Sequence, residues 1–181
     1  VEVFEFNGRR ENEDAKLYWK TESDQVKSGF EIERSIDGRN YERIGIVAAS
    51  ATTGINNYQF TDHEFTSLGV QVIYYRLRQN MPDGRFTYSR IVALATDSRN
   101  IVVLYPNPAT DYANLLVTTG KAQALQCRIV DNNGKLVKQL LWNITPGSKS
   151  LPVDLSNLAS GTYYLELKGT TINEVKTIIK K

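Results

Sequence analysis

The sequence has one cysteine, one histidine and one methionine among 181 residues. A single cysteine excludes an internal disulfide bond, and one cysteine with one histidine is too few to build a zinc site from those ligands. No apolar run approaches the roughly 20 residues that a membrane-spanning helix needs. The net charge is only +2, so we expect no nucleic acid as a partner.

Groups able to perform catalysis are equally scarce. His63 lies beyond the end of a predicted strand, where a solvated loop histidine is expected, and no serine or cysteine beside it has the context of a nucleophile. Cys127 lies between Leu125 and Ile129 on one face of a predicted strand, as a small core residue does. The aspartate-glycine turns lack the spaced carboxylates of a calcium loop. We therefore predict no enzyme, no catalytic residue, no cofactor and no metal.

The sequence is rich in the period-two alternation of β-strands. Leu17 and Trp19 share one face, and Ile73, Tyr75 and Leu77 share another. Such strands recur about every ten residues and are separated by turn sequences, whereas helix patterns are nearly absent. This spacing predicts an all-β protein made of antiparallel β-sandwiches.

A proline-rich corner, Tyr105-Pro106-Asn107-Pro108-Ala109, divides these strands into two runs. Each proline lacks the backbone donor that a central strand needs, so the strand that starts at Ile101 must end there. A short polar segment, residues 96–100, precedes that strand. We therefore predict two tandem domains, residues 1–98 and residues 101–181.

The first run of strands resembles the fibronectin type III sandwich. The residues that carry the resemblance are Leu17, Trp19 and Leu68, with Tyr74 or Tyr75 as the tyrosine whose hydroxyl bonds the preceding loop. Face parity favours Tyr75, and spacing from Leu68 favours Tyr74. Residues 29–35 and 74–79 are similar to a variant found just upstream of sorting domains in Bacteroidetes surface proteins. The resemblance implies an immunoglobulin/fibronectin III-like spacer or adhesion module.

The second run carries four distinctive segments: residues 105–109, 131–137, 154–164 and a basic end at 176–181. In order, spacing and position they resemble the type IX (Por) secretion-system C-terminal sorting domain, type A. One departure is Ser160 before Gly161, where many members have proline, and the glycine still permits the turn. The resemblance places the sorting motifs at Pro106, Asn107, Pro108, Asp131, Gly134, Gly161, Tyr163, Lys176, Lys180 and Lys181.

This resemblance implies a defined export route. The domain would be recognised at the outer membrane by the type IX translocon and its shuttle protein. A cell-surface sortase would then remove it and attach the cargo to anionic lipopolysaccharide, or release the cargo. The protein would be secreted or held at the surface of a Gram-negative bacterium.

The same residues have simpler structural explanations. The prolines make a rigid corner, Asp131 and Gly134 make a hairpin, and lysines protect an edge strand from pairing with other chains. Along the last strand, alternation predicts that Val175, Thr177 and Ile179 pack on the core. The lysines, Lys176, Lys180 and Lys181, are then expected to point outward.

Two other functions fit the sequence. The first domain is compatible with a carbohydrate- or protein-binding module for cell adhesion. Alternatively, the chain is an accessory region of a surface hydrolase, which only sequence upstream of residue 1 would decide.

Overall fold

The computed structural model describes residues 3–22, 29–50, 53–81, 83–96 and 100–181. Every regular element in these ranges is a β-strand, which confirms the all-β prediction. The chain divides into two compact units, residues 1–96 and residues 97–181. The predicted end of the first domain, Ser98, lies outside the described residues. Within the described ranges there is no helix long and apolar enough to cross a membrane.

The first unit is a sandwich of two antiparallel sheets. One sheet has the order β1-β2-β5, and the other has the order β4-β3-β6, with β7 and β8 both paired to β6. The strands are β1 (Val3–Glu11), β2 (Asp14–Glu22), β3 (Phe30–Ser35), β4 (Glu42–Val47), β5 (Ile55–Asp62), β6 (Val72–Asn80), β7 (Phe86–Tyr88) and β8 (Val92–Ala95).

Alternation along the strands builds the core of this sandwich. Leu17 and Trp19 are fully buried on one face of β2, while Tyr18 between them is exposed. The Trp19 ring meets Phe30 of the opposite sheet edge-on, with ring centroids 5.6 Å apart. It stacks on Tyr58 of its own sheet at 5.5 Å. Aromatic packing of this kind joins the two sheets.

The tyrosine left open by the sequence is Tyr75. It is fully buried, and its hydroxyl donates a 2.8 Å hydrogen bond to the Asp62 carboxylate at the end of β5. Arg34 donates to both oxygens of the same carboxylate at 3.1 Å. Burial would by itself lower the pKa of the Arg34 guanidinium, but the carboxylates of Glu42 and Asp62 raise it. The buried charges of Arg34 and Asp62 are therefore paired with each other.

The second unit is also a sandwich, with sheets ordered β13-β10-β9 and β12-β11-β14-β15. Its core includes Leu125, Cys127 and Ile129, the three residues predicted to share a buried face. The strands are β9 (Ile101–Tyr105), β10 (Tyr112–Thr119), β11 (Gln123–Val130), β12 (Leu136–Ile144), β13 (Gly147–Asp154), β14 (Gly161–Lys168) and β15 (Asn173–Lys180).

Candidate functional site

The four segments singled out in the second unit meet at one end of its four-stranded sheet. Val130, just before the 131–134 turn, lies opposite Tyr164 at the start of β14. Tyr164 in turn lies opposite Thr177 near the end of β15. On the outer edge of β15, Ala109 forms a parallel bridge with Lys180. Segments that are distant in sequence, such as those of Ala109 and Lys180, are thus neighbours across one sheet end.

Asn107 and Ala109 hold the free edge of β15 through four hydrogen bonds, which we call the edge clamp. The Asn107 side-chain amide donates to the Thr177 carbonyl at 2.8 Å, and its oxygen accepts the Ile179 N–H at 3.0 Å. The Ala109 N–H donates to the Ile179 carbonyl at 2.9 Å, and the Lys181 N–H donates to the Ala109 carbonyl at 2.8 Å. The clamp thus extends the sheet beyond β15 by a short segment whose hydrogen bonds come partly from the Asn107 side chain and partly from the Ala109 backbone.

The local sequence explains why a side chain takes part in this pairing. Pro106 and Pro108 flank Asn107, and neither has a backbone N–H to donate. Both peptide bonds that precede these prolines are cis. A carboxamide carries two donors and an acceptor, so Asn107 supplies both kinds of partner to the strand edge where the prolines supply no donor.

The predicted faces of the last strand are wrong. Ile178 is the core residue, 0% exposed, whereas Val175 is 62% and Ile179 47% exposed. Ile178 lies opposite the buried Tyr163 of β14, and this pairing fixes which side of β15 faces inward. Both faces of the strand carry apolar residues, so alternation alone does not identify the inner one.

The outward position predicted for the lysines is also wrong for Lys180, which is 9% exposed. Its ammonium group donates to the Lys181 carbonyl at 2.9 Å and lies 3.6 Å from the Asp111 carboxylate. Lys176, on the same face, pairs with Glu174 at 2.6 Å. The aliphatic stem of a lysine covers apolar surface while its charge reaches a partner. Lys181 is exposed, as predicted.

The turn at residues 131–134 is held by its own aspartate. The Asp131 carboxylate accepts the N–H groups of Asn133 at 2.8 Å and Lys135 at 3.0 Å. Gly134 has a φ of 76°, a conformation that glycine adopts without steric cost. Asp131 and Gly134 therefore shape the hairpin between β11 and β12, whatever else they do.

The segment at residues 154–164 is tied to the neighbouring strands. Lys138 of β12 donates to the Asp154 carbonyl at 2.6 Å and to its carboxylate at 3.1 Å. Hydrogen bonds from Ser156, together with Lys138, hold the pKa of the Asp154 carboxyl well below its usual range. The Tyr163 hydroxyl donates to the Ala159 carbonyl at 2.8 Å, and Gly161 lies opposite Lys180.

Sequence reasoning missed Lys138 and Asp111 as parts of this site. Lys138 is 16 residues from Asp154, and Asp111 is even further from Lys180 in sequence. No local pattern announces pairs of this separation. The role of Asn107 was also missed, but the sequence did contain one indication of it. Neither proline beside Asn107 has a backbone N–H to donate to a neighbouring strand, so the side-chain amide is the nearest donor that can replace it.

The outer face of this sheet end is partly apolar. Leu136, Tyr164 and Ile179 are large apolar residues that remain exposed there. They come from three different strands of the sheet, β12, β14 and β15. A rim of charge adjoins them through Lys135 and Lys181, both exposed. An arrangement of this kind suits binding to another protein surface.

The residues that candidate catalysis or metal binding would use lie apart from one another in the described part of the chain. The described residues contain no group of three or more His, Cys, Asp and Glu side chains that could hold a metal ion. His63 is exposed, and its Nδ1 lies 3.1 Å from the Asp14 carboxylate. Cys127 is buried, and burial raises the pKa of its thiol to about 12, so the thiolate nucleophile is scarce at neutral pH.

Comparison with known proteins adds a family and two structural likenesses. Residues 103–181 match the family described as the secretion system C-terminal sorting domain. No curated protein matches the sequence. Among solved structures, dimeric latent PorU from Porphyromonas gingivalis is 15% identical, with a TM-score of 0.39, over 99% of this chain and 20% of that one. The FN1–FN3 domains of chicken CNTN1 are 11% identical, with a TM-score of 0.37, over 100% of this chain and 66% of that one.

This chain thus spans about a fifth of the PorU chain. The family match covers every residue of the four segments of the candidate site. It confirms the resemblance inferred for the second domain. Such a domain is carried by secreted and cell-surface proteins, which confirms the predicted location. Within the second unit, residues 103–181 carry a secretion-system C-terminal sorting domain.

Proposed function

We propose that the type IX secretion machinery recognises this protein through the sheet end at which the four segments meet. The observation that supports the proposal is their convergence, since residues 105–109, 131–137, 154–164 and 176–181 form one continuous region across β12, β11, β14 and β15. The translocon and its shuttle protein bind this region first. A cell-surface sortase then removes the domain and attaches the cargo to anionic lipopolysaccharide, or releases it.

The predicted motif residues divide into three groups by the role we propose for them. The first group closes the sheet edge, and the second shapes the turns behind it. The third group is basic: Lys181 supplies exposed positive charge at the rim, whereas Lys176 and Lys180 are paired with carboxylates and hold the strand end in place. The groups are Pro106, Asn107 and Pro108; Asp131, Gly134, Gly161 and Tyr163; and Lys176, Lys180 and Lys181.

The test is a reporter with a signal peptide, fused to residues 97–181 and expressed in a host that has this secretion route. We expect the fusion to reach the surface or the medium, and the same fusion without residues 173–181 to stay in the periplasm. Lys181→Gln should reduce export, because its charge is exposed. Lys149→Gln, an exposed lysine on the opposite sheet, is the matched control. Export of the truncated fusion at the level of the intact one would refute the proposal.

The chain as a whole is proposed to be inert, with the first unit as a spacer. Support comes from the exposed position of His63, whose described ion-pair partner is Asp14, and from the burial of Cys127, which raises the pKa of its thiol. Purified protein should not hydrolyse common glycoside, ester or peptide substrates. Hydrolysis that disappears in His63→Ala would contradict this.

A second candidate function, binding by the first unit, is favoured by one feature. Arg76 is stacked between Tyr41, 4.0 Å from the ring centre, and Tyr88, 3.8 Å away. Arg78 lies 4.2 Å from the ring centre of Phe86. Phe86 and Tyr88 are nonetheless exposed, and rigidly held exposed aromatic rings stack well on sugars or on partner side chains.

Titration of the full chain against an array of glycans tests this second candidate. Binding should fall in Phe86→Ala and Tyr88→Ala and survive deletion of residues 101–181. Tyr112→Ala removes a comparably exposed ring in the second unit and is the matched control. Absence of saturable binding to any glycan or matrix protein would leave the spacer role.

A further inference from the structure

We propose that Asn107 is a positioning residue of the export signal. Its carboxamide fixes the end of β15 at the sheet edge, and the secretion machinery accepts the domain only in this clamped form. The inference rests on the proposed sorting function and adds the conformational requirement and the residue that enforces it.

The geometry of the edge clamp carries the argument. The two backbone groups that Asn107 satisfies, the Thr177 carbonyl and the Ile179 N–H, are a strand's own hydrogen-bonding groups. One planar side chain reaches both because it presents a donor and an acceptor side by side. Pro106 and Pro108 have no N–H with which to replace it. Without the carboxamide these two groups lose their partner on this edge.

The clamp is separable from the folding of the strand. On its other edge, β15 pairs with β14 along its whole length, from Gly161 opposite Lys180 to Lys168 opposite Asn173. Ile178 packs in the core independently of Asn107. Removing the carboxamide should therefore leave the sheet folded and release only the outer edge of residues 177–181.

The clamp also lies where the proposed recognition surface is built. Ile179, whose N–H is held by Asn107, is one of the exposed apolar residues of the sheet end. Lys181, held by Ala109, carries the exposed charge at the same end. Fixing the backbone at these two positions fixes the surface that a partner meets, and such preorganisation favours binding.

The first measurement is amide hydrogen exchange in the full 181-residue chain. In Asn107→Ala the Ile179 amide loses its acceptor, so its exchange should rise about tenfold or more. The Ile178 amide and the amides of β11 should keep their wild-type protection. The Lys180–Asp111 pair is untouched by the substitution.

A second variant separates hydrogen bonding from shape. Asn107→Asp has nearly the same size, but its ionised carboxylate has no donor for the Thr177 carbonyl. When protonated, the carboxyl regains one donor and keeps an acceptor. Relative to wild type at each pH, the protection of residues 177–181 should be low at neutral pH and recover as the pH falls through the pKa of the new carboxyl. If residue 107 acted only by packing, protection would not recover in acid. Recovery in acid would therefore refute a role in packing alone.

The second measurement is export of a signal-peptide reporter fused to the full chain. Asn107→Ala and Asn107→Asp should lower the exported fraction at least fivefold. Asn143→Ala changes an exposed asparagine on β12, at the far side of the sheet, and should export normally. Val153→Ala opens the core of the opposite sheet, destabilises the unit without touching the clamp, and should export better than Asn107→Ala.

Each result supports or overturns a distinct statement. Failure of the wild-type fusion to leave the periplasm overturns the sorting function and the inference with it. Normal export of Asn107→Ala, with its Ile179 amide exchanging faster, overturns the inference alone. Equal losses in Val153→Ala and Asn107→Ala would mean that export follows global stability, which also overturns it. The inference is also overturned if the amide protection of residues 177–181 in Asn107→Asp does not recover in acid.

Discussion

Replacing Ile178 by alanine tests which face of the last strand supports the second unit. Ile178 is completely buried and lies opposite Tyr163. Truncating a buried isoleucine to alanine costs about 2–5 kcal/mol of unfolding free energy. Ile179→Ala removes the same atoms from a side chain that is half exposed, and surface changes of this kind cost about 0.5 kcal/mol. The unfolding free energies of the two neighbouring variants should therefore differ by about 1.5 kcal/mol or more.

Two tryptophans allow the effect to be assigned to one unit. Trp19 lies in the core of the first unit and Trp142 packs against the core of the second. The native indole N–H signals of the full chain, followed by NMR during a urea titration, report the two units separately. At a slope of about 1–1.5 kcal/mol per molar urea, a loss of about 3 kcal/mol lowers the Trp142 midpoint by about 2–3 M. The Trp19 midpoint should not move.

A milder variant keeps the test usable if Ile178→Ala does not fold. Ile178→Val should cost about 0.5–1.5 kcal/mol, which is measurable and still larger than the effect of Val175→Ala on the exposed face. A loss in Ile179→Ala or Val175→Ala equal to that in Ile178→Ala would refute the assignment of the inner face. A shift of the Trp19 midpoint would instead contradict the independent unfolding of the two units.

The remaining predictions concern other parts of the chain. Tyr75→Phe removes the donor to the buried Asp62 carboxylate, so it should lower the unfolding free energy of the first unit by about 1–3 kcal/mol in a urea titration. Tyr18→Phe on the exposed face is the control and should change that free energy by about 0.5 kcal/mol at most. Burial, with the Asp62 charge, raises the pKa of the Tyr75 phenol; its contribution is therefore complete below about pH 10, where the unfolded phenol is still protonated, and stability should fall as the pH rises above that value. Cys127 should resist alkylation in the native chain and react once urea unfolds the second unit, and rapid native alkylation would contradict its burial. Limited proteolysis should leave two resistant fragments separated between residues 96 and 105, and early cleavage within 75–77 would contradict independent folding of the units.

The sequence was sufficient for features that depend on neighbouring residues. Alternation placed Leu125, Cys127 and Ile129 on one buried face, because a strand has only two faces and the opposite one there is polar. The Asn133-Gly134 pair marked the hairpin, because Gly134 meets the positive φ that the turn needs. Both statements use information contained within ten residues.

Features set by distant partners were not accessible in the same way. Ile178 and Ile179 are adjacent and equally apolar, and only the pairing with Tyr163 on β14 decides which is buried. The choice between Tyr74 and Tyr75 depended on Asp62, which accepts a hydrogen bond from the Tyr75 hydroxyl 13 residues away. For the candidate site, the sequence predicted the segments but not their contacts, since Asn107 meets its partners 70 and 72 residues later.

The bridge between Ala109 and Lys180 has a consequence for the order in which the second unit folds. The two residues are 71 positions apart (180 − 109), so this pair encloses nearly all of the unit. Closing a flexible loop of that length before the intervening strands fold would cost roughly 4 kcal/mol of chain entropy, and the cost is much smaller once those strands have brought β15 beside β14. The pair is also unavailable until residue 180 has been synthesised, after every other strand of the unit. Closure of the edge is therefore expected to be the last step, which leaves a newly made chain a period in which the outer edge of β15 is still open.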